Sequence, residues 1–192
     1  NKLYPVILGQ IYTVEKQPEQ AITQFESVLT DTAQPFWQAL SKNYQETKQF
    51  EKFVNLNKKW LEQYPNDPRA LLGNAIALES RGDTQEALEL TNKYINELEG
   101  SRIELKLMHI HLLLKTQQVE LAQEQFNKLD ERAKSLPYSR GLLAQLQINS
   151  NNHKLAQTNL EAAYAAHPTP QNARLLYQVL EANQGPKPAY VF

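Results

Sequence analysis

The chain has 192 residues, of which 41% are hydrophobic and 21% charged, and its formal net charge is −1. This balance suits a folded chain, and without a basic excess it argues against nucleic acid as a partner. The absence of cysteine excludes disulfides and thiolate metal sites. No apolar run reaches the roughly 18 residues that a membrane-spanning helix needs, so direct membrane insertion is not expected.

A recurring pattern organises the whole chain into predicted helical pairs. In chain order, we expect approximate repeats at residues 2–33, 34–67, 68–102, 103–136 and 137–169, with a partial repeat at 170–192. One small or apolar position marks the second helix of each pair, at Ala21, Phe53, Ala87, Ala122, Ala156 and Ala189. Successive markers are 32, 34, 35, 34 and 33 residues apart, and such regular spacing indicates a repeat protein.

Two early copies carry the most complete motif. The first reads Leu8-Gly9-x2-Tyr12 and then Ala21-x3-Phe25; the second reads Trp37-x2-Leu40-Ser41-x2-Tyr44 and then Phe53, Trp60 and Pro65. Both resemble the tetratricopeptide repeat (TPR) pattern W-x2-L-G-x2-Y, A-x3-F, P, with its period of about 34 residues. The resemblance implies an all-α, right-handed α-solenoid of about six TPR-type hairpins, in which the first helix of each pair lines a concave face.

Small and cyclic residues support the predicted hairpins. We expect Gly9, Ser41, Ala75 and Ala144 to let paired helices approach closely, and the large aromatic residues of the motif to fill the core between pairs. Pro68 and Pro170 follow turn sequences and should open helices, because proline is tolerated in the first helical turn. Both ends of the chain are expected to be truncated within the repeat array, since no polar capping helix is recognisable.

The sequence holds no recognisable catalytic or cofactor-binding motif, so we expect neither an enzyme nor a cofactor. Phosphate-binding glycine motifs and metalloprotease or hydrolase signatures are absent. His109 and His111 lie two apart on a predicted helix and point in different directions, so they cannot hold one metal ion together. We expect one of the two to be packed and the other to face the groove.

The leading hypothesis is a non-catalytic scaffold that binds a protein or peptide segment in its concave groove. The predicted groove residues are Arg69, Leu72, Ile76, Leu107, His111, Leu114, Lys115, Tyr138, Gln145, Ile148, Asn149 and Arg174. Apolar residues in the middle and amides at the flanks suit a segment with apolar anchors. The competing interpretation is that several of these leucines only pack neighbouring first helices.

Two alternatives place the same repeats in a different setting. The chain could be the accessory repeat region of a larger enzyme. It also resembles, more narrowly, bacterial TPR-repeat lipoproteins of exopolysaccharide export and PEP-CTERM protein sorting, which favours the periplasm or cell envelope over the cytoplasm. For the oligomeric state we expect a monomer, or weak end-to-end self-association.

Overall fold

The computed structural model describes residues 2–30, 35–97 and 103–184, and the regular structure in these ranges is α-helical throughout. The helices are α1 (Leu3–Val14), α2 (Pro18–Glu26), α3 (Trp37–Glu46), α4 (Phe50–Gln63), α5 (Pro68–Arg81), α6 (Thr84–Glu97), α7 (Ile103–Lys115), α8 (Val119–Asn127), α9 (Glu131–Lys134), α10 (Pro137–Asn149), α11 (His153–Ala166) and α12 (Pro170–Gln184). The prediction of an all-α fold is confirmed. The short helix α9 was not predicted; it begins where the Asp130 carboxylate accepts a hydrogen bond from the Ala133 amide, at 2.7 Å.

The chain divides into two compact units, Asn1–Leu105 and Lys106–Phe192, with the division inside α7. In the first unit each helix from α1 to α5 packs on the next, and α3 also contacts α1 and α5. In the second unit α10 contacts α8, α9, α11 and α12, and α11 packs on α12. Packing between helices close in sequence is the arrangement expected of a repeat protein.

Five tight turns join the two helices of successive hairpins in the same way. Each contains one residue in the left-handed region, namely Lys16 (φ +58), Lys48 (φ +58), Gly82 (φ +93), Gln117 (φ +62) and Asn151 (φ +56). The residue after it donates its backbone N–H to the carbonyl five positions earlier, as in Gln17 to Tyr12 at 2.8 Å and Gln49 to Tyr44 at 2.9 Å. This is a Schellman C-cap, which satisfies the last carbonyls of the first helix.

The repeat markers lie in the core, as the period predicts. Ala21, Phe53, Ala87, Ala122 and Ala156 are all buried, whereas Ala189 lies outside the described residues. Gly9 shows why a small residue is needed opposite the marker helix, because a Cβ there would lie 2.7 Å from the Phe25 ring. Phe25 in turn stacks on Phe36, with ring centroids 5.1 Å apart. Each such fully buried large side chain contributes about 1.5–3 kcal/mol.

Candidate functional site

The first unit contains a cleft between α3 and α5 whose floor is formed by α4. We call it the first cleft; its volume is about 220 Å³. It is lined by Gln38, Ser41, Lys42 and Gln45 of α3, by Phe53, Asn57 and Trp60 of α4, by Arg69, Leu72, Gly73 and Ile76 of α5, and by Glu104 of α7. The structure thus brings the predicted groove residues Arg69, Leu72 and Ile76 together in one cavity.

A buried polar pair fixes the floor of the first cleft. The Asn57 side-chain amide donates to Ser41 Oγ at 2.7 Å and to the Phe53 carbonyl at 2.8 Å. Its oxygen is oriented toward α5, where a Cβ on Gly73 would collide with it. Glycine at position 73 therefore allows α5 to lie against the Asn57 amide, which forms its hydrogen bonds with Ser41 and Phe53.

Arg69 is fixed at one end of the first cleft by the start of α5. Asp67 caps this helix by accepting a hydrogen bond from the Arg69 backbone N–H at 2.9 Å. Its carboxylate also accepts hydrogen bonds from Nε and Nη2 of the Arg69 guanidinium, at 3.1 and 2.9 Å. Burial alone would raise the pKa of the Asp67 carboxyl, but the hydrogen bonds from Arg69 outweigh it and hold this pKa below its usual value. The guanidinium also lies 5.7 Å from the Trp60 ring centroid, a cation–π distance. The positive charge of Arg69 is thus already paired with the Asp67 carboxylate of the same chain.

The second unit contains a cleft formed by α7, α10 and α12, which we call the second cleft. Its volume is about 210 Å³. It is lined by His111, Leu114 and Lys115 of α7, by Gln117 of the following turn, by Gln145, Ile148 and Asn149 of α10, and by Arg174, Leu175 and Gln178 of α12. Seven of the twelve predicted groove residues line this cavity: His111, Leu114, Lys115, Gln145, Ile148, Asn149 and Arg174.

The second cleft has an apolar centre and a polar border. Leu114 and Leu175 are 6% and 8% exposed, and Ile148 is partly buried beside the core of α10 to α12. Among the described residues, the side-chain amides of Gln117, Gln145 and Gln178 form no hydrogen bond. Such amides are suited to pair with the backbone of a bound segment.

Two predicted groove residues lie outside both clefts. Leu107 is only 4% exposed and lines neither cavity, so the structure does not bring it together with the other predicted groove residues. Tyr138 is half exposed at the start of α10, and its ring lies 6.4 Å from the His111 ring beside the second cleft.

The two histidines of α7 differ as expected. His109 is buried, and burial lowers its pKa to about 4, whereas His111 lines the second cleft.

A separate cleft of about 490 Å³ lies between α2 and α4 and includes Trp37 and Tyr44 of α3. No motif in the sequence indicates this cavity. Beside it, burial and a hydrogen bond to Glu26 raise the pKa of Tyr44.

Within residues 2–30, 35–97 and 103–184, no group of three histidine or carboxylate side chains is placed to hold a metal ion. In the same ranges, no helix has the length and apolar character of a membrane span.

No protein-family model matches this sequence, and no curated protein matches it either. Solved structures do resemble it in fold. A tetratricopeptide repeat protein from Parabacteroides merdae has a TM-score of 0.70 at 13% identity, over 96% of this chain and 74% of the other. PilW, a type IV pilus biogenesis factor, has a TM-score of 0.74 at 16% identity, over 98% and 89% of the two chains.

A third similar structure is the Cut9–Hcn1 hetero-tetramer of APC/C, with a TM-score of 0.74 at 15% identity, over 94% of this chain and 36% of the other. Likeness at this level of identity establishes the fold and leaves the activity to be argued from the clefts.

Proposed function

We propose that this chain, whose fold is that of tetratricopeptide-repeat proteins, is a non-catalytic scaffold that binds a peptide or protein segment in its clefts. The observation that carries the proposal is the composition of the two clefts: apolar residues at the centre, and glutamine, lysine and arginine side chains around them. The lining of each cleft comes mainly from helices, so its backbone is ordered before a partner arrives, which reduces the entropic cost of binding.

The size of the first and second clefts favours side chains of a protein partner over a small-molecule ligand. Volumes of about 220 and 210 Å³ are smaller than the roughly 300–1,000 Å³ of typical ligand pockets. A cleft of this size accepts one or two large side chains, while the amides beside it can pair with the backbone between them. The similar structure of Cut9–Hcn1 is a complex of proteins, which agrees with a role in protein interaction.

Site-specific photo-crosslinking in the native source tests this function. A photoreactive amino acid at Gln45 or Gln145, which line the first and second clefts, should form crosslinks to the same defined partner in repeated experiments. The matched positions Lys58 and Thr158 are exposed and line neither cleft. Crosslinks that are equal at all four positions, or absent from the cleft positions, would contradict a scaffold role for the clefts.

The two alternative settings stay predictions. An accessory region of a larger enzyme and an envelope lipoprotein would both use the same clefts. A catalytic motif in the full reading frame would favour the first, and a lipobox cysteine ahead of the repeats would favour the second.

A further inference from the structure

The two clefts differ in how their positive charges are balanced. In the first cleft the Lys42 Nζ atom lies 3.7 Å from Oε1 of Glu46, and Arg69 forms an ion pair with Asp67. Both cationic side chains are therefore already paired with a carboxylate of this chain. Glu104 adds a carboxylate to the lining itself. The positive charges of the first cleft are therefore matched from within the chain.

The second cleft has basic residues and no carboxylate in its lining. Lys115 and Arg174 line it on opposite helices, together with His111. Arg174 is exposed and, among the described residues, forms neither an ion pair nor a hydrogen bond. A guanidinium presents five donors in a planar fork, which matches a carboxylate with two parallel bonds.

We infer that the second cleft selects a peptide segment in which acidic side chains flank an apolar anchor. This inference rests on the proposed scaffold function and names the chemistry of its partner. The anchor would occupy the apolar centre formed by Leu114, Ile148 and Leu175, while an aspartate or glutamate pairs with Arg174. A basic segment would meet the positive charge of Arg174 at the same place, and such like-charge contact is a common basis of discrimination.

The charge at position 174 should thus decide which peptides bind. A phage-displayed library of random dodecapeptides is selected against the wild-type chain, against Arg174→Glu and against the control Arg132→Glu. Arg132 is also an exposed arginine of the second unit, but it lies on α9 and does not line the cleft. Circular dichroism spectra of the three proteins verify that each is folded.

We expect peptides selected by the wild type and by Arg132→Glu to be enriched in aspartate and glutamate around an apolar residue. Arg174→Glu should lose that enrichment. For an enriched peptide, fluorescence anisotropy should give a dissociation constant about tenfold or more weaker when its acidic residues are replaced by their amides, or when Arg174→Glu replaces the wild type. Added salt should weaken binding of the acidic peptide, because the contact is partly exposed.

Three results would overturn the inference. Selected peptides could be neutral or basic, or acidic peptides could bind Arg174→Glu as tightly as the wild type; either result leaves the scaffold function intact, because peptides still bind. Failure of the wild type to enrich any peptide also contradicts the inference, and the crosslinking experiment then decides the scaffold function separately.

Discussion

Replacing Lys48 by glycine should stabilise the protein, because this lysine occupies a backbone conformation that glycine adopts more easily. Lys48 has φ +58 in the turn between α3 and α4. The equivalent turn between α5 and α6 uses Gly82, with φ +93. The same Schellman cap is thus built with a favourable residue in one hairpin and a strained one in another.

The magnitude follows from two opposing terms. A left-handed conformation costs a residue with a Cβ about 1–2 kcal/mol, while glycine gives the unfolded chain extra freedom worth about 0.4–1 kcal/mol. The difference is a gain of about 0.5–1 kcal/mol for Lys48→Gly. Asn151→Gly should gain less, because asparagine tolerates this conformation. Gly82→Ala should cost about 1 kcal/mol through the backbone alone, because no atom lies within 4 Å of the added Cβ.

Urea unfolding followed by circular dichroism measures these changes as shifts of the midpoint at an unchanged slope. Lys48→Ala is the matched control, since it removes the charged side chain but keeps the Cβ and therefore the strain. The reasoning is refuted if Lys48→Ala stabilises as much as Lys48→Gly, or if Gly82→Ala has no effect on the free energy of unfolding.

Three further substitutions test the packing and the buried polar groups. Gly9→Ala should lower the free energy of unfolding by about 1–3 kcal/mol, because its Cβ would meet the buried Phe25 ring at 2.7 Å; a urea midpoint equal to that of the wild type would contradict this. Ser41→Ala should cost about 1–3 kcal/mol by leaving the Asn57 oxygen without its hydrogen bond, and thermal unfolding should show a lower midpoint. The buried His109 stays neutral in the folded state until its pKa of about 4, whereas in the unfolded chain it binds a proton near its ordinary value of 6.5. The free energy of unfolding is therefore unaffected by this group above pH 6.5. As the pH falls from 6.5 toward 4, protonation of His109 in the unfolded chain lowers the free energy of unfolding by up to about 3 kcal/mol. In His109→Leu the urea midpoint should depend less on pH in that window, and an unchanged dependence would show that another group causes it.

The composition of the second cleft could largely be predicted from its helices. Gln145, Ile148 and Asn149 recur three and four residues apart on α10, a spacing that places side chains on one helix face, and the structure brings them into one cavity. Leu175 was missed because it reads as an ordinary core leucine, and Gln117 because it follows the end of α7. No motif distinguishes either residue in the sequence.

For α7 the sequence could not decide which leucines face a partner. Between Ile103 and Lys115 the apolar residues occupy most sides of the helix, so their period does not select one buried face. In the structure Leu107 is 4% exposed and lines neither cleft, while Leu114, at 6%, borders the second cleft. The predicted surface therefore contained two buried leucines, Leu107 and Leu114, of which only Leu114 lines a cleft.

The sequence by itself determined the helical hairpins and their period, because these depend on residues within one repeat: the small residue of the first helix, the buried marker of the second and the turn between them. Tertiary structure decided how charges are matched. Asp67 pairs with Arg69 through the cap of α5, whereas Arg174 meets no carboxylate of the described residues. Both arginines belong to first helices of the repeat, but only one is paired, because an ion pair depends on the distance between side chains and the repeat period does not specify that distance.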